Sequence, residues 1–488
     1  MKITNFKITQ ILLTVCFLAS TIAVAQVGIG TDTPDTTSIL DLQSSSKGLL
    51  VPRMSTLERE AIESPAESLL VFDTTEQAFY YYSTTNTSWT MLENDTSVKR
   101  DNFKLIKSVT DLAPELTAGS GTTYKLDENT YYEINGTIAL AFPIDLNNAY
   151  ISGLDANEDI LVASGVVFKG STGGSIRNLT IKGTKAFEIT GPGIATNSSL
   201  LVQNTVVDGM TSSVGSISGF GIYFGNIIQF INNADGITYS NIGNLLLNNQ
   251  AWFSSNNGTF EKLTGSFGLV EKVSGFSTVN GSDIAFDVST TGLAVGNGVL
   301  NGTVFSGTTT APDYIKGYTT DSYIGYSFTT AWSVNAPGIP KESDGDATGD
   351  INLSAVVGSG ETTSFTGTGT SSRRKVVGTT TSNNLFRFTK NGDNRITYRG
   401  NQKRYFQVVG SVSYQSLNDI ILIVYIAKNG VIINETKVYT RATNDNSISA
   451  VPVVGTIEMK KDDYIEIWAE RFSGTGNMLT VSLNLSAR

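Results

Sequence analysis

Two carboxylates held about 5–10 Å apart can cleave a glycosidic bond, one as acid and the other as base or nucleophile. Carboxylates are the reactive groups this chain has in quantity. Its 488 residues include no histidine, and its single cysteine is Cys16. Zinc–imidazole sites, Ser-His-Asp triads and Cys-His dyads are thereby excluded. The acidic candidates are Asp155, Glu158 and Asp159 near one turn, Asp208 and Asp235 at corresponding repeat positions, and Asp283 with Asp287. Asp208 and Asp235 each directly precede a glycine, which is also where turn chemistry places aspartate. Spacing fixes no pair at catalytic distance. The reading is therefore structural: no catalytic, cofactor-binding or metal-binding residue is assigned, no cofactor is expected, and the protein is expected not to be an enzyme.

Other short signals fare the same way. Asp344-Gly-Asp346 with Asp350 places oxygen ligands at a spacing reminiscent of a calcium loop, but lacks the ordered ligands and terminal glutamate of an EF-hand, so it reads as a solvated acidic turn. Gly28-x-Gly30 has no third glycine or following helix, and the Gly170 stretch has no P-loop lysine. Net charge is −10, which argues against a nucleic-acid partner. With 48 glycines, 10 prolines and 40% hydrophobic residues, the composition suits an all-β protein with real cores.

Lys2 and Lys7 precede the apolar run Ile11–Ala19, and Ala23-Val24-Ala25 forms a small-x-small site. This reads as a signal peptide, residues 1–25, cut after Ala25, and implies a secreted or cell-surface protein. No later apolar run is long enough to span a membrane. Residues 26–95 follow as a small module: Val27-Gly28-Ile29-Gly30-Thr31 with Pro34, Leu40-Asp41-Leu42, Lys47-Gly48 with Pro52-Arg53-Met54, and Leu69-Leu70-Val71. Within it only Leu57–Ile62 reads as helical, capped by Ser55 or Thr56. The aromatic group Phe79–Tyr82 with Trp89 reads as packing rather than sugar stacking. The module resembles the N-terminal module of exported Bacteroidetes surface proteins and of phage tail-fibre proteins.

Residues 96–335 are short apolar segments punctuated by glycine and asparagine. Ile176–Gly183 repeats as Val202–Gly209, with Gly236, Gly265 and a copy near Val299–Gly307 continuing the series. A unit of this length must stack on its neighbours to bury its apolar face, which suggests a right-handed parallel β-helix-like shaft. Asparagines at matching places, such as Asn178 and Asn204, read as turn residues, with side-chain ladders between coils as the alternative. The segment resembles the shafts of tailspikes and secreted adhesins. Residues 336–383, rich in Gly, Ser and Thr, read as a linker.

Residues 384–488 read as eight strands. Asn429-Gly430 supplies a type I′ hairpin turn, and Ile465, Ile467 and Ala469, then Leu479, Val481, Leu483 and Leu485, alternate as one buried face each. The stretches NNLFRFTKNGDNRITYRGNQKRYFQVVGSVSY, VYIAKNGVII and KKDDYIEIWAERFSGTGNMLTVSLNLS resemble trimeric jelly rolls of the tumour-necrosis-factor and complement-head type. That resemblance implies a jelly-roll sandwich and a homotrimer. The expected protein is a non-enzymatic, exported fibre for adhesion, binding a surface glycan or a protein. The alternatives are a polysaccharide lyase or hydrolase on the shaft, and a phage tail-fibre receptor-binding protein.

Overall fold

The computed structural model describes residues 10–11, 26–92, 102–309, 313–443 and 445–488. Most of the expected leader lies outside the described residues. The chain divides into two compact units, Met1–Lys99 and Arg100–Arg488.

In the first unit, Val27–Ile29 pairs in parallel with Leu40–Leu42. A four-stranded sheet runs Arg53–Met54, Leu70–Asp73, Ala78–Ser83, Ser88–Met91. The helix Thr56–Glu60 starts at Ser55, which forms a capping box with Glu58, satisfying two otherwise orphaned amides. Arg59 Nε meets the buried Asp73 at 2.9 Å and its guanidinium lies 3.8 Å from the centre of the Tyr80 ring. Tyr80 is thus a packing residue. The module nevertheless leaves large apolar side chains in water, with Ile39, Leu50 and Leu57 each 78% exposed or more.

The second unit begins as a β-solenoid. One ladder of parallel strands runs Phe103↔Tyr131↔Tyr150↔Ser175↔Leu201↔Phe224↔Leu246↔Glu271↔Val299↔Ser333. Ten stacked strands make about nine turns. Each turn spans from 19 residues, Tyr131 to Tyr150, up to 34, Val299 to Ser333. This variation explains a partial failure of the repeat reading. Ile176 does stack on Val202 and Ile181 on Val207, but Gly236 and Gly265 fall in other columns, because a constant spacing cannot follow coils of unequal length.

In six successive coils, where the first strand turns into the second, the chain passes through a left-handed residue: Asn178, Asn204, Ile227, Asn249, Ser274 and Gly302, with φ between 49° and 69°. Asparagine tolerates that conformation better than most residues. Asn204 Nδ2 also donates to Asn178 Oδ1 at 3.2 Å, and Asn248 to Asn226 at 3.0 Å. Turn role and ladder role therefore coexist.

Inside the coil the rows are apolar, including Ile151, Ile176, Val202, Leu247 and Leu300. One exception is ionic. Lys272 and Glu261 are both fully buried, with Lys272 Nζ 2.9 and 3.1 Å from the two carboxylate oxygens. Burial pushes Glu261 above the ordinary carboxylate range, against the pull of Lys272. At the last coil the chain doubles back: Glu342 and Val334 exchange both backbone hydrogen bonds, at 3.0 and 3.1 Å.

The remainder is two antiparallel sheets around a shared core that includes Ile351, Phe406, Val412, Leu422, Ile467 and Leu483. One sheet runs Leu385–Phe386, Thr348–Ser354, Met478–Ala487, Arg404–Gln415, Ser449–Met459. The other runs Phe388–Lys390, Ile396–Tyr398, Tyr464–Gly474, Ile420–Lys428, with Val431–Ile432 and Val438–Ala442 both pairing Ile420–Lys428. Asn429 and Gly430 hold φ of 54° and 74° in the hairpin. The linker expected at 336–383 is not a free joint: Gly349–Ser354 pairs with Ser482–Ala487 and Glu361–Thr363 with Met478–Thr480. Its Ser/Thr-rich composition hid strands whose apolar positions, Ile351 and Leu353, are few but correctly alternated.

Candidate functional site

The acidic candidates occupy turns. Asp159 is buried and accepts backbone hydrogen bonds from Gly136 at 2.8 Å, Leu154 at 2.7 Å and Asp155 at 3.0 Å. Burial raises its pKa, but those three amides outweigh burial and hold it below the ordinary range, the opposite of what a general acid needs. Asp155 accepts from the Asn157 amide, and Glu158 points to solvent. Asp208 pairs with Lys182 at 2.8 Å and accepts from Asn232 Nδ2. Asp235 closes Gly236 and Thr259, and Asp283 closes Gly258, each across or within a coil. Asp287 accepts from Ser289 and lies 3.6 Å from Lys316. These carboxylates hold turns between coils. Among the described residues no cluster of three or more His, Cys, Asp or Glu could hold a metal ion. Asp344 accepts from the Asn401 and Gln402 amides, and Asp350 from the Asn383 and Asn384 amides, so the acidic stretch 344–350 ties loops together.

A cleft of about 860 Å³ opens where the end of the solenoid meets the sandwich, inside the usual range of about 300–1,000 Å³ for a ligand site. Two stretches far apart in sequence make most of it: the loop 322–326, and the turn 382–384 that runs on into the strands Leu385–Phe386 and Phe388–Lys390. Phe386 is buried at its floor. Tyr326 stacks on it at 4.1 Å between ring centres and 25°, and Tyr323 meets it edge-on at 5.4 Å. Burial is the main reason both tyrosine hydroxyls sit above their ordinary pKa, which keeps them neutral and able to donate. Asn383, Asn384 and Lys390 supply polar groups along the rim.

Asp350 sets the rim. It accepts from the backbone of Asn384 at 2.8 Å and Asn383 at 3.2 Å, and from Ser382 Oγ at 3.2 Å. Burial raises its pKa, yet these hydrogen bonds and those of the Asn384 and Asn352 side chains leave it lowered overall. Beneath Phe386 lies Arg387, fully buried and in the left-handed region at φ 59°. Its Nη2 donates to the carbonyls of Trp332 at 2.6 Å and Glu342 at 3.2 Å. Sequence reasoning missed this cleft. Neither Tyr323-Ile-Gly-Tyr326 nor Asn383-Asn384-Leu-Phe386 is a motif, and only the fold joins them.

A family model described as a phage tail like trimerisation region matches residues 28–104, which covers nearly all of the module expected at 26–95. No curated protein matches the chain. Among solved structures the chain is similar to the enzymatically active domain of bacteriophage CBA120 tailspike protein 4, at 10% identity over 90% of this chain and 77% of that one, with a TM-score of 0.21. The expectation of a non-enzymatic protein is corrected on that point: this similar structure is itself an enzymatically active domain, and the expectation is withdrawn. Among the described residues no helix is long and apolar enough to cross a membrane. The chain is an all-β protein with a β-solenoid, and its N-terminal part is similar to a phage tail trimerisation region.

Proposed function

We propose that this chain is a homotrimeric, tail-fibre-like receptor-binding protein that engages a surface glycan at the junction of solenoid and sandwich. The observation that carries the reading is the match of residues 28–104 to a trimerisation region, together with the water-exposed Ile39, Leu50 and Leu57 of the same module. Side chains of that kind need a partner surface, and a second and third copy provide one. The strand order of the sandwich supports a jelly roll, since consecutive long strands alternate between its two sheets. The leader at 1–25 supports export of the mature chain, with action outside the cell.

Glycan recognition is supported by the cleft. Stacked aromatic rings present an apolar face to a sugar ring, and amide and ammonium groups alongside can bond its hydroxyls. Three copies would give three such clefts, so that weak single-site binding adds up through avidity. The test is a glycan array probed with the intact protein and with Tyr326→Ala. Binding to a defined surface glycan that Tyr326→Ala weakens supports the reading. Binding unaffected by that change removes the cleft from it, and a monomeric mass in light scattering removes the trimer.

A further inference from the structure

Glu342 stands where the chain leaves the solenoid, and it is buried. Its two carboxylate oxygens accept from two consecutive backbone amides, Ser327 at 2.8 Å and Phe328 at 2.9 Å. Those amides directly follow Tyr326, whose ring is stacked 4.1 Å from that of Phe386 in the cleft. The carbonyl of the same Glu342 accepts from Nη2 of Arg387 at 3.2 Å, and Arg387 directly follows Phe386. Its backbone is fixed in turn by the two hydrogen bonds exchanged with Val334. One residue thus grips both segments that carry the Tyr326–Phe386 stack, each right beside the ring.

A carboxylate in this place takes away from stability. Burial raises Glu342 above the ordinary carboxylate range although the two amides and Arg387 pull it down, so its desolvation is not fully offset. The charge has a geometric use instead: two oxygens on two adjacent amides fix both the place and the tilt of the segment behind Tyr326. Beyond that point the loop runs out to a fully exposed Ile324. A tip so open takes its position from its base. The opposite wall is built alike, with Asp350 accepting from the consecutive amides of Asn383 and Asn384.

We propose that Glu342 is a positioning residue for the cleft: it presets the spacing of the Tyr326 and Phe386 rings, so that a sugar ring meets a platform already formed. This role rests on the glycan-binding reading given above. Glu342 lies outside the cleft lining and acts through Tyr326. A loop without its grip spends part of its time away from Phe386, and apparent affinity falls in proportion to the fraction of time the platform is formed. Holding the loop beforehand spares the ligand the entropy of ordering it.

The test uses the intact protein on the glycan array described for Tyr326→Ala. Glu342→Gln keeps the size of the side chain but offers one acceptor to two amides, and Glu342→Asp keeps both oxygens but draws them back. Each should weaken binding about tenfold, the effect of a loop in place about a tenth of the time. Neither should weaken it further once Tyr326 is alanine, whereas a general loosening of the fold would add to that loss. Hydrogen exchange of the parent gives a second measurement that needs no variant to fold. The Ser327 and Phe328 amides should be protected before glycan is added and unchanged by it. Parent affinity in both variants, additive losses, or protection that arises only with glycan overturns the role of Glu342 and leaves the glycan reading standing. A parent that binds no glycan overturns that reading, and this role with it.

Discussion

The Nη2 of Arg387 donates to the carbonyl of Trp332 at 2.6 Å, which ties the second sheet system to the last coil of the solenoid through one buried side chain. Asp344 lies 3.6 Å from Nε, and the same guanidinium reaches the Glu342 carbonyl. Replacing Arg387 with methionine removes the donor to the Trp332 carbonyl, one of two donors to the Glu342 carbonyl, and the cation beside Asp344. The expected loss is about 3–5 kcal/mol, the usual result of breaking a buried charge pair on one side. Chemical denaturation should then show two transitions, solenoid and sandwich separately, where the parent shows one. Arg387→Lys should rescue the coupling only in part, because one ammonium group on a shorter head cannot both reach the two carbonyls from the Nη2 position and lie beside Asp344 as Nε does.

The buried pair inside the solenoid makes a pH-dependent prediction. Lys272→Met strands Glu261 and should cost about 3–5 kcal/mol at neutral pH. The folded-state pKa of Glu261 lies above its ordinary value of 4.5, so the folded state binds this proton more readily than the unfolded one. Stability from that group is present below 4.5 and is lost as pH rises through the folded value. The deficit of Lys272→Met should accordingly shrink as denaturant melts are repeated toward pH 4.5. The double change Glu261→Leu with Lys272→Met should recover most of the loss at all pH values, since an apolar pair of similar volume suits that interior.

Tyr326→Ala should weaken glycan binding about tenfold, equivalent to ~1.4 kcal/mol, without changing the melting temperature of the solenoid. Asp350→Asn should weaken it too, by freeing the 382–384 turn. Asp350 has a lowered pKa, so its support of that turn is present above 3.8 and is lost as pH falls through the folded value. Titrating binding downward should therefore show retention to below the ordinary aspartate range, and a loss near 3.8 or above would contradict the assigned role of the rim.

Two glycines of the upper coils should respond in opposite ways. A Cβ on Gly298 would sit 2.2 Å from the Trp332 indole, which is itself held by a 3.1 Å hydrogen bond to Tyr318 Oη. Gly298→Ala should cost about 1–3 kcal/mol by overpacking. Gly302 has only the Ser274 amide near its would-be Cβ, at 4.0 Å, and φ of 69°. Gly302→Asn, the residue other coils use in that column, should be close to neutral. Thermal melts of the two variants side by side check both.

Much of the fold was legible because its signals are local. Alternation at Ile465, Ile467 and Ala469 marks a strand whatever surrounds it, and Asn429-Gly430 marks a hairpin on backbone grounds alone. Asn178 and Asn204 announced a coil corner by their spacing. The Thr348–Ser354 strand escaped notice because its inward residues alternate with Asp350 and Asn352, and Ser/Thr-rich flanks mask so short a pattern. Lys272 was invisible for another reason: a lone lysine in a strand reads as solvent-facing until the coil shows Glu261 across the core. The cleft was least legible of all. Tyr326 and Phe386 are sixty residues apart, and nothing in either segment points to the other.

The doubling back of the chain at Val334 and Glu342 has a consequence for aggregation. The last coil of a solenoid exposes a row of unpaired backbone groups, a ready template for a coil of another molecule. Here two backbone hydrogen bonds of that edge are taken by Glu342, where the chain runs the opposite way, and Arg387 occupies the Trp332 carbonyl beside it. An incoming parallel coil finds the places at Trp332 and Val334 filled. The return thus caps part of the open edge of the last coil against the coil of another molecule.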